Sequence, residues 1–407
     1  MTGSWPKRYE GRPRSYTFRD MSQPVARTLA VTAGVALAWA CTPAQVRYQP
    51  VVAPAGATAP VEATLYLVGD AGEINSHSAA VLAHLGENID SVAAGGAGRP
   101  VVVAFLGDNI YEVGARPNHE GTDLAILDAQ VAALGRHSEV RGVFIPGNHD
   151  WSKGGADERG RLAVRVQQDW ISQLGVDRNV DLLPADACPG PAGVDIVPSL
   201  RLLFVDTEWL LRQPADDCGT AEEFYERLRR DLEQNRGKRI VVMSHHPISS
   251  GGPHAGHLAP FQSGPLVYYL VRKSGVSVQD LMSPRYSDMI ERLEGAFAAS
   301  GTRPLLHAAG HDHTLQVIRL AGPGQPAYQL VSGAGSRSTN SRRIDGTRYA
   351  TNGFGYMRLD FGATDARLTV YARDLLGGAV RPVFACTLSG EAPVGECPEA
   401  PLEEGAP

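Results

Sequence analysis

Five apolar runs in this chain each end in a short polar cluster that is rich in possible metal ligands. The runs and their clusters occupy residues 65–70, 101–111, 143–150, 240–247 and 305–313. A continuous run of Val, Ile and Leu of this length predicts a strand that is buried on both faces. Ligands of α/β sheets gather beyond the carboxyl ends of such strands. We therefore expect the five polar clusters to meet at one edge of the fold.

The polar clusters supply side chains that can donate to a metal ion. They are Asp70, Asp108, Tyr111, Asn148, His245, His311 and His313. These donors are too many for a single ion, and a carboxylate with two usable oxygens can bridge two ions. Paired ions activate water and clamp an in-line displacement. The pattern therefore predicts a two-metal hydrolase.

The order of predicted elements indicates a mixed α/β fold. Strand and helix patterns alternate from about residue 61, and from residue 314 the apolar period becomes two, which is typical of antiparallel strands. Helices are expected at 75–92, 122–137, 157–174, 220–236 and 279–300, and the fourth begins with a capping box at Thr220. We predict one catalytic domain over residues 61–376 and a loose tail over 377–407.

The N-terminal region has the features of an export signal. Residues 1–40 are predicted to be a signal segment, with a true start at Met21 as one possibility, and residues 41–60 to be an extended linker. Residues 37–41 resemble a bacterial lipobox, so we expect Cys41 to be lipidated and to anchor the chain to a membrane. The chain is thus predicted to be an exported periplasmic or cell-envelope lipoprotein, with a secreted protein as the alternative.

The remaining cysteines and the charge narrow the class of protein further. Four cysteines besides Cys41 fit two local disulfides in an oxidising compartment, one near residues 188–218 and one in the tail; free buried thiols are the alternative. The formal net charge is −6 and no block of Lys and Arg appears, so nothing in the composition argues for a nucleic-acid partner. The oligomeric state stays open.

The polar clusters together resemble the motifs of the calcineurin-like metallophosphoesterase superfamily, and most closely those of the purple acid phosphatases of the small tartrate-resistant type. The motifs are residues 69–70, 107–111, 147–150, 245–247 and 310–313. Most of the superfamily has Asp-x-His in the first motif, but here Asp70 is followed by Ala71 and Gly72. Tyr111 stands where purple acid phosphatases place a tyrosinate on ferric iron. The resemblance spans about residues 65–335 and implies a four-layer α/β/β/α sandwich of two mixed sheets.

The resemblance also implies two metal sites that share one aspartate. The first ion would be held by Asp70, Asp108, Tyr111 and His313, and the second by Asp108, Asn148, His245 and His311. A phenolate and carboxylates favour Fe(III) in the first site, whereas imidazole nitrogens suit Zn, Fe(II) or Mn in the second.

The same resemblance assigns roles in catalysis. Asn148 and His149 would contact the phosphate of a small phosphorylated substrate, and His254 would protonate the leaving group, with His257 as its rival. The implied reaction is hydrolysis of phosphomonoesters through a hydroxide that bridges the two ions. A phosphodiesterase or pyrophosphatase of the same fold is one alternative, and a catalytically inactive, surface-anchored binding protein is another.

Other polar residues near these motifs receive a structural interpretation. Asp150 and Asp312 are expected to orient backbone and histidines rather than to bind metal directly. Asp206 ends a buried strand without a companion ligand and is interpreted as structural, and His307 is interpreted as a hydrogen-bonded core residue. Arg337 is interpreted as part of a surface loop, with contact to an anionic substrate as the alternative.

Overall fold

The computed structural model describes most of the chain beyond the N-terminal region. The described residues are 45–52, 60–95, 98–116, 119–154, 157–175, 178–214, 217–254, 278–389 and 397–403. They belong to one compact unit, Thr42–Pro407. The predicted signal segment, Cys41 and His257 lie outside the described residues. None of the described helices combines the length and the apolar character that a bilayer crossing requires.

The described strands and helices follow the predicted alternation. The strands are β1 (Ala63–Val68), β2 (Val101–Phe105), β3 (Val140–Phe144), β4 (Val180–Leu182), β5 (Ala192–Val197), β6 (Leu200–Phe204), β7 (Arg239–Met243), β8 (Leu306–Ala309), β9 (Leu315–Arg319), β10 (Tyr328–Ser332), β11 (Thr347–Thr351), β12 (Phe354–Phe361), β13 (Ala366–Asp374) and β14 (Gly377–Leu388). The α-helices are α1 (Ser76–Gly95), α2 (Glu120–Ala132), α3 (Asp157–Gly175), α4 (Thr207–Arg212), α5 (Ala221–Gln234) and α6 (Pro284–Ser300).

In the described part of the chain these strands form two seven-stranded mixed sheets. The first has the order β14-β13-β12-β1-β2-β3-β4, and the second has the order β11-β9-β10-β8-β7-β6-β5. Strands β1 to β4 run parallel, and β12 joins them antiparallel to β1. In the second sheet β6, β7, β8 and β10 run parallel, with antiparallel strands at both edges. The predicted fold class is confirmed.

Alternate residues of the central strands explain why their apolar runs are continuous. Leu65 and Leu67 of β1 pack in the core between the two sheets, together with Val241 of β7. Tyr66 and Val68 point to the other side and pack against the helices. A strand that is covered on both faces gains about 1.5–3 kcal/mol for each large apolar side chain that it buries. The result is the helix–sheet–sheet–helix layering that the resemblance implied.

Helix ends are fixed by local hydrogen bonds. The capping box at Thr220 is present, since its hydroxyl accepts from the Glu223 backbone and the Glu223 carboxylate accepts from the Thr220 backbone. Helix α6 begins at Pro284, five residues later than predicted, because the Ser283 hydroxyl accepts from Tyr286 N and caps it there. Residues 278–283 are thereby left for a turn that reaches the site described below.

The termini of the described chain pack on the first sheet more closely than predicted. Residues 377–388, which the sequence placed in a loose tail, form β14 and pair antiparallel with β13, because Val383 and Phe384 face the core. Within the predicted linker, Tyr48 is buried and Val51 bridges to Phe384. The expected local disulfides both form, joining Cys188 to Cys218 and Cys386 to Cys397.

Candidate metal centre

Five central strands, β1, β2, β3, β7 and β8, lead directly into the polar clusters. The carboxyl ends of these strands meet where the two sheets face each other, so residues distant in sequence become neighbours. Ligand atoms of Asp70, Asp108 and His245 all lie within 4.8 Å of one another, and these side chains are buried. The convergence expected from the apolar runs is therefore observed.

Several predicted ligands have a strained backbone. Asp70, Asp108 and His311 have positive φ angles of 57°, 54° and 69°. The left-handed region costs an L-residue roughly 1–2 kcal/mol. Hydrogen bonds offset this cost: Asp70 N donates to the Gly107 carbonyl at 3.0 Å, and His311 N donates to Asp70 Oδ2 at 2.9 Å. Strain of this kind concentrates at functional sites.

A first group of donors surrounds the hydroxyl of Tyr111. Its Oη lies 2.9 Å from Asp70 Oδ1 and 3.1 Å from His313 Nε2, and the last two atoms are 3.4 Å apart. Donors held about 2.1 Å from one ion lie roughly 3.0–3.4 Å apart in octahedral or tetrahedral geometry. The spacing of these three atoms therefore fits a shared metal ion.

Gly72 explains why a histidine is absent from the first motif. A Cβ at this position would lie 2.4 Å from the Asp108 carbonyl oxygen and 2.7 Å from Ile110 N, so no side chain fits. The Gly72 carbonyl instead accepts a hydrogen bond from Tyr111 N at 2.9 Å. The close contact between these backbone segments therefore accounts for the missing histidine and also positions the backbone of Tyr111.

A second group of donors converges on Asn148 Oδ1. His245 Nε2 lies 3.0 Å from this oxygen and His311 Nδ1 lies 3.3 Å from it. The other ring nitrogens donate to backbone carbonyls, His245 to Leu106 at 2.8 Å and His311 to Gln279 at 2.9 Å. In the neutral rings, the nitrogens facing Asn148 therefore carry lone pairs. The spacing of these two nitrogens from the amide oxygen fits a group of donors that shares one cation.

Electrostatics around the shared aspartate also favour cations. Burial and the neighbouring histidines hold the pKa of His311 well below its ordinary value, so its ring is neutral. Burial opposes ionisation of Asp108, but His245 and His149 lower the pKa of this carboxyl below its usual value. Asp108 Oδ1 lies 3.4 Å from His245 Nε2 and accepts from His149 N at 2.9 Å. A buried carboxylate that its neighbours hold ionised attracts positive charge.

Comparison with known proteins identifies the family. Residues 64–278 match the family model described as calcineurin-like phosphoesterase. The chain belongs to the calcineurin-like phosphoesterase family. No curated protein is significantly similar to it in sequence.

Solved structures of two proteins share the fold. GAP50, described as the anchor in the inner membrane complex of Plasmodium, is 15% identical with a TM-score of 0.51, over 82% of this chain and 90% of that one. PhoD is 12% identical with a TM-score of 0.53, over 83% of this chain and 72% of that one. At these identities the likeness concerns the fold alone.

The predicted catalytic histidines lie beside the two donor groups. His149 Nδ1 donates to the Glu112 carbonyl at 2.6 Å, and its Nε2 lies 3.8 Å from Asp108 Oδ2. The ring of His254 packs 4.4 Å from that of His311, and its backbone N donates to Asp312 Oδ1 at 3.0 Å. Both residues are within reach of a ligand bound at the centre.

The structure places the residues that were interpreted as structural in supporting positions. Asp150 accepts hydrogen bonds from the backbones of Gly147, Asn109 and Ile110, which shapes the loops that carry Asp108 and Asn148. Burial and the nearby Asp108 raise the pKa of Asp150 to about 7.

Asp206 and His307 are both buried and hydrogen-bonded, which agrees with the structural interpretation of the one and the core interpretation of the other. Asp206 accepts from Trp209 N at 3.0 Å and from Trp151 Nε1 at 2.8 Å, and so caps helix α4. His307 lies 2.9 Å from both Ser244 Oγ and Gln329 Oε1.

A buried network behind His311 was not foreseen from the sequence. His246 lies close enough to His245 and His311 to share an ion with them. Both of its ring nitrogens are nevertheless occupied, by Thr207 Oγ1 at 2.8 Å and by Gln279 Oε1 at 2.6 Å. We therefore regard His246 as a support for the ligands. Gln279 belongs to none of the five motifs, so nothing in the sequence indicated that it would contact His246 and His311.

Arg337 lies at the mouth of the centre, although the sequence suggested a surface loop. Its guanidinium is 3.7 Å from the centroid of the Tyr111 ring, and its Nε lies 2.9 Å from Glu73 Oε2. It also forms an ion pair with Glu112, which Lys153 contacts at 3.1 Å. Arg337 thus ties together the loops after β1, β2 and β10 over the phenol.

Proposed function

We propose that this chain is an exported phosphatase that hydrolyses phosphomonoesters at a dinuclear metal centre. The observation that carries the proposal is the pair of donor groups on either side of Asp108. One group contains Asp70, Tyr111 and His313, and the other contains Asn148, His245 and His311. Membership of the calcineurin-like phosphoesterase family supports phosphoester hydrolysis as the reaction class.

The donor chemistry favours different ions in the two sites. Burial and Asp70 hold the pKa of Tyr111 well above its ordinary value, so the phenol would ionise only beside a cation of high charge. Fe(III) meets this requirement, whereas the imidazole-rich second group suits Zn, Fe(II) or Mn. When bound, such a pair of ions lowers the pKa of water and neutralises charge on phosphoryl oxygens.

The side chains of this protein would bind and orient the phosphate. Because Asn148 Oδ1 faces His245 and His311, its amide N–H groups are left to donate to a phosphoryl oxygen. The Glu112 carbonyl fixes the His149 ring by accepting from Nδ1, which turns Nε2 towards the Asp108 side of the centre. A protonated His149 would donate from Nε2 to the same phosphate.

The leaving group needs a proton donor on the opposite side. His254 is the candidate among the described residues, because its ring packs against His311. His257 is the rival and belongs to the same loop in sequence. Proton delivery to the leaving alcohol by a positioned histidine contributes roughly 10²–10⁴-fold in rate.

Monoesters are preferred in this proposal because of the resemblance to purple acid phosphatases. The resemblance is carried by Tyr111 and by the lack of a side chain at Gly72. Export is supported by the disulfides Cys188–Cys218 and Cys386–Cys397, which are typical of oxidising compartments. A lipid on Cys41 would hold the enzyme at a membrane.

Turnover of matched substrates tests the proposal. The purified full-length chain, loaded with iron and zinc, should hydrolyse an aryl phosphate much faster than the corresponding bis-aryl phosphate. Asp108→Asn should lower this rate by more than about a hundredfold, because electrostatic stabilisation of this kind is worth at least that much. Asp288→Asn makes the same chemical change on an exposed helix position and should leave the rate unchanged.

The other outcomes identify the alternatives. Faster turnover of the bis-aryl phosphate would assign a phosphodiesterase of the same fold. Two bound ions without turnover of either substrate across pH 4–9 would assign a binding protein and contradict the proposal.

A further inference from the structure

A second cleft lies beside strands β9 and β11, apart from the metal centre. Its volume is about 990 Å³, and its lining includes Ser249, Arg319, Arg343, Asp345 and Arg348. Arg319 ends strand β9, which begins just after the predicted ligand His313. The two ends of a five-residue extended strand lie roughly 13 Å apart. The cleft is therefore distinct from the donor groups around Asp108.

Several polar groups in this cleft lack partners. Among the described residues, Arg319 and Arg348 form no ion pair, although Glu399 is near enough to Arg348 to interact with it electrostatically. The buried Nε of Arg348 finds no hydrogen-bond acceptor. Ser249 lines the cleft although the residue is only 6% exposed. An unsatisfied buried donor costs about 1–3 kcal/mol. Arg343 differs, because it forms a bidentate ion pair with Glu399.

The backbone holds the two unpaired arginines in place. Gly346 has a φ of 83°, and a Cβ there would lie 2.0 Å from the Arg319 carbonyl oxygen, so only glycine fits. Arg319 N also donates to the Gly346 carbonyl at 2.8 Å. Two residues later the pairing of β11 with β9 is interrupted by a bulge between Thr347 and Tyr349, which contains Arg348. Bulges re-aim side chains.

We propose that this cleft binds an oxyanion, namely the phosphate or sulfate group of a small ligand. Guanidinium groups match the planar, bidentate geometry of phosphate oxygens, and the Ser249 hydroxyl can add one donor. The one carboxylate that lines the cleft, Asp345, forms no ion pair with the arginines in the described part of the chain. A concentration of cations is notable in a chain whose net charge is −6.

The cleft also contacts the loop that carries His254. Ser249 precedes His254 by five residues, and Gly251 between them accepts a hydrogen bond from Arg342 N at 2.8 Å. An anion in the cleft would thus bind one end of a loop whose other end reaches His311. The proposal itself concerns binding alone and does not depend on the catalytic activity proposed above.

Calorimetric titration with inorganic phosphate tests the proposal on the full-length, metal-loaded chain. We expect two phosphates per chain in the native protein, one at the metal centre and one in the cleft. Arg319→Gln/Arg348→Gln should lose the second site, with affinity lowered at least tenfold. Arg319→Lys/Arg348→Lys should bind with intermediate affinity, because the charge stays but the bidentate geometry is lost. Arg159→Gln removes an exposed arginine elsewhere and should change nothing.

Two further measurements assign each phosphate to its site and distinguish a free anion from a lipid headgroup. Asp108→Asn should retain one phosphate, and its combination with the double glutamine variant should retain none. Co-sedimentation with phosphatidic acid vesicles is compared with co-sedimentation with phosphatidylcholine vesicles. If the native chain prefers phosphatidic acid and the double glutamine variant loses this preference, the anion is a lipid headgroup. If the native chain binds phosphate but shows no such preference, the anion is a free one. An unchanged second phosphate in the double glutamine variant would overturn the proposal. So would a single phosphate in the native chain that the double glutamine variant keeps and Asp108→Asn loses.

Discussion

Replacing Gly72 by alanine tests the packing that brings Tyr111 into the metal centre. The added Cβ would lie 2.4 Å from the Asp108 carbonyl oxygen and 2.7 Å from Ile110 N. Ordinary contact begins near about 3.4 Å, and both neighbours are backbone atoms, so the segment after β2 must move by about 1 Å. Overpacking of this kind costs roughly 1–3 kcal/mol. We expect a value near the upper limit, or about 4 °C in Tm for a chain of this size.

The displaced segment carries Asp108 and Tyr111, so the variant should also lose metal. We expect thermal unfolding to show the lower Tm, and plasma mass spectrometry to show fewer than two ions per chain. Gly295→Ala is the matched control, because no atom lies within 4 Å of its added Cβ in helix α6. There alanine should stabilise the protein by about 0.5–1 kcal/mol.

Equal Tm values for the native chain and Gly72→Ala, together with equal metal content, would refute this reasoning. Such a result would mean that the loops after β1 and β2 adjust without cost, and that Gly72 does not explain the missing histidine.

Two further changes, a lower pH and the loss of one disulfide, should each lower the free energy of unfolding. Burial lowers the pKa of His307 to about 4, so the folded state binds fewer protons than the unfolded state between pH 6.5 and 4. The free energy of unfolding should therefore fall by up to about 3 kcal/mol as the pH falls through this window. Urea unfolding should show that His307→Gln removes this loss. The Cys188–Cys218 disulfide closes a loop between cysteines that are 30 residues apart in sequence. Cys188→Ser/Cys218→Ser should therefore lower the free energy of unfolding by about 3–4 kcal/mol. A variant as stable as the native chain would contradict this.

The core of the fold was predictable because its signals are local. Strands β1, β2, β3, β7 and β8 are covered on both faces, which makes their sequences continuously apolar and easy to recognise. Parallel strands with a common direction then bring their ends together, so Asp70, Asp108 and His245 could be placed at one edge without knowledge of the loops. Their role as metal ligands stays a prediction.

The features that escaped prediction depend on contacts between distant segments. Gln279 contacts His246 and His311 only because a turn precedes helix α6, and neither spacing nor composition marks it. Arg337 packs on Tyr111 through a loop that the sequence shows only as polar. The strand at 377–388 was missed because Gly377, Gly378 and Pro382 suggested a tail, whereas pairing with β13 outweighs these local preferences.

The visible spectrum of the metal-loaded chain tests the central claim most directly. If Tyr111 binds a ferric ion beside Asp70 and His313, the native protein should contain two ions and show a tyrosinate-to-iron absorption band. Tyr111→Phe should lose the band, while the fold, judged by Tm and circular dichroism, is retained. A two-metal protein that is colourless, or a band that survives in Tyr111→Phe, would contradict the assignment of this phenol to the metal centre.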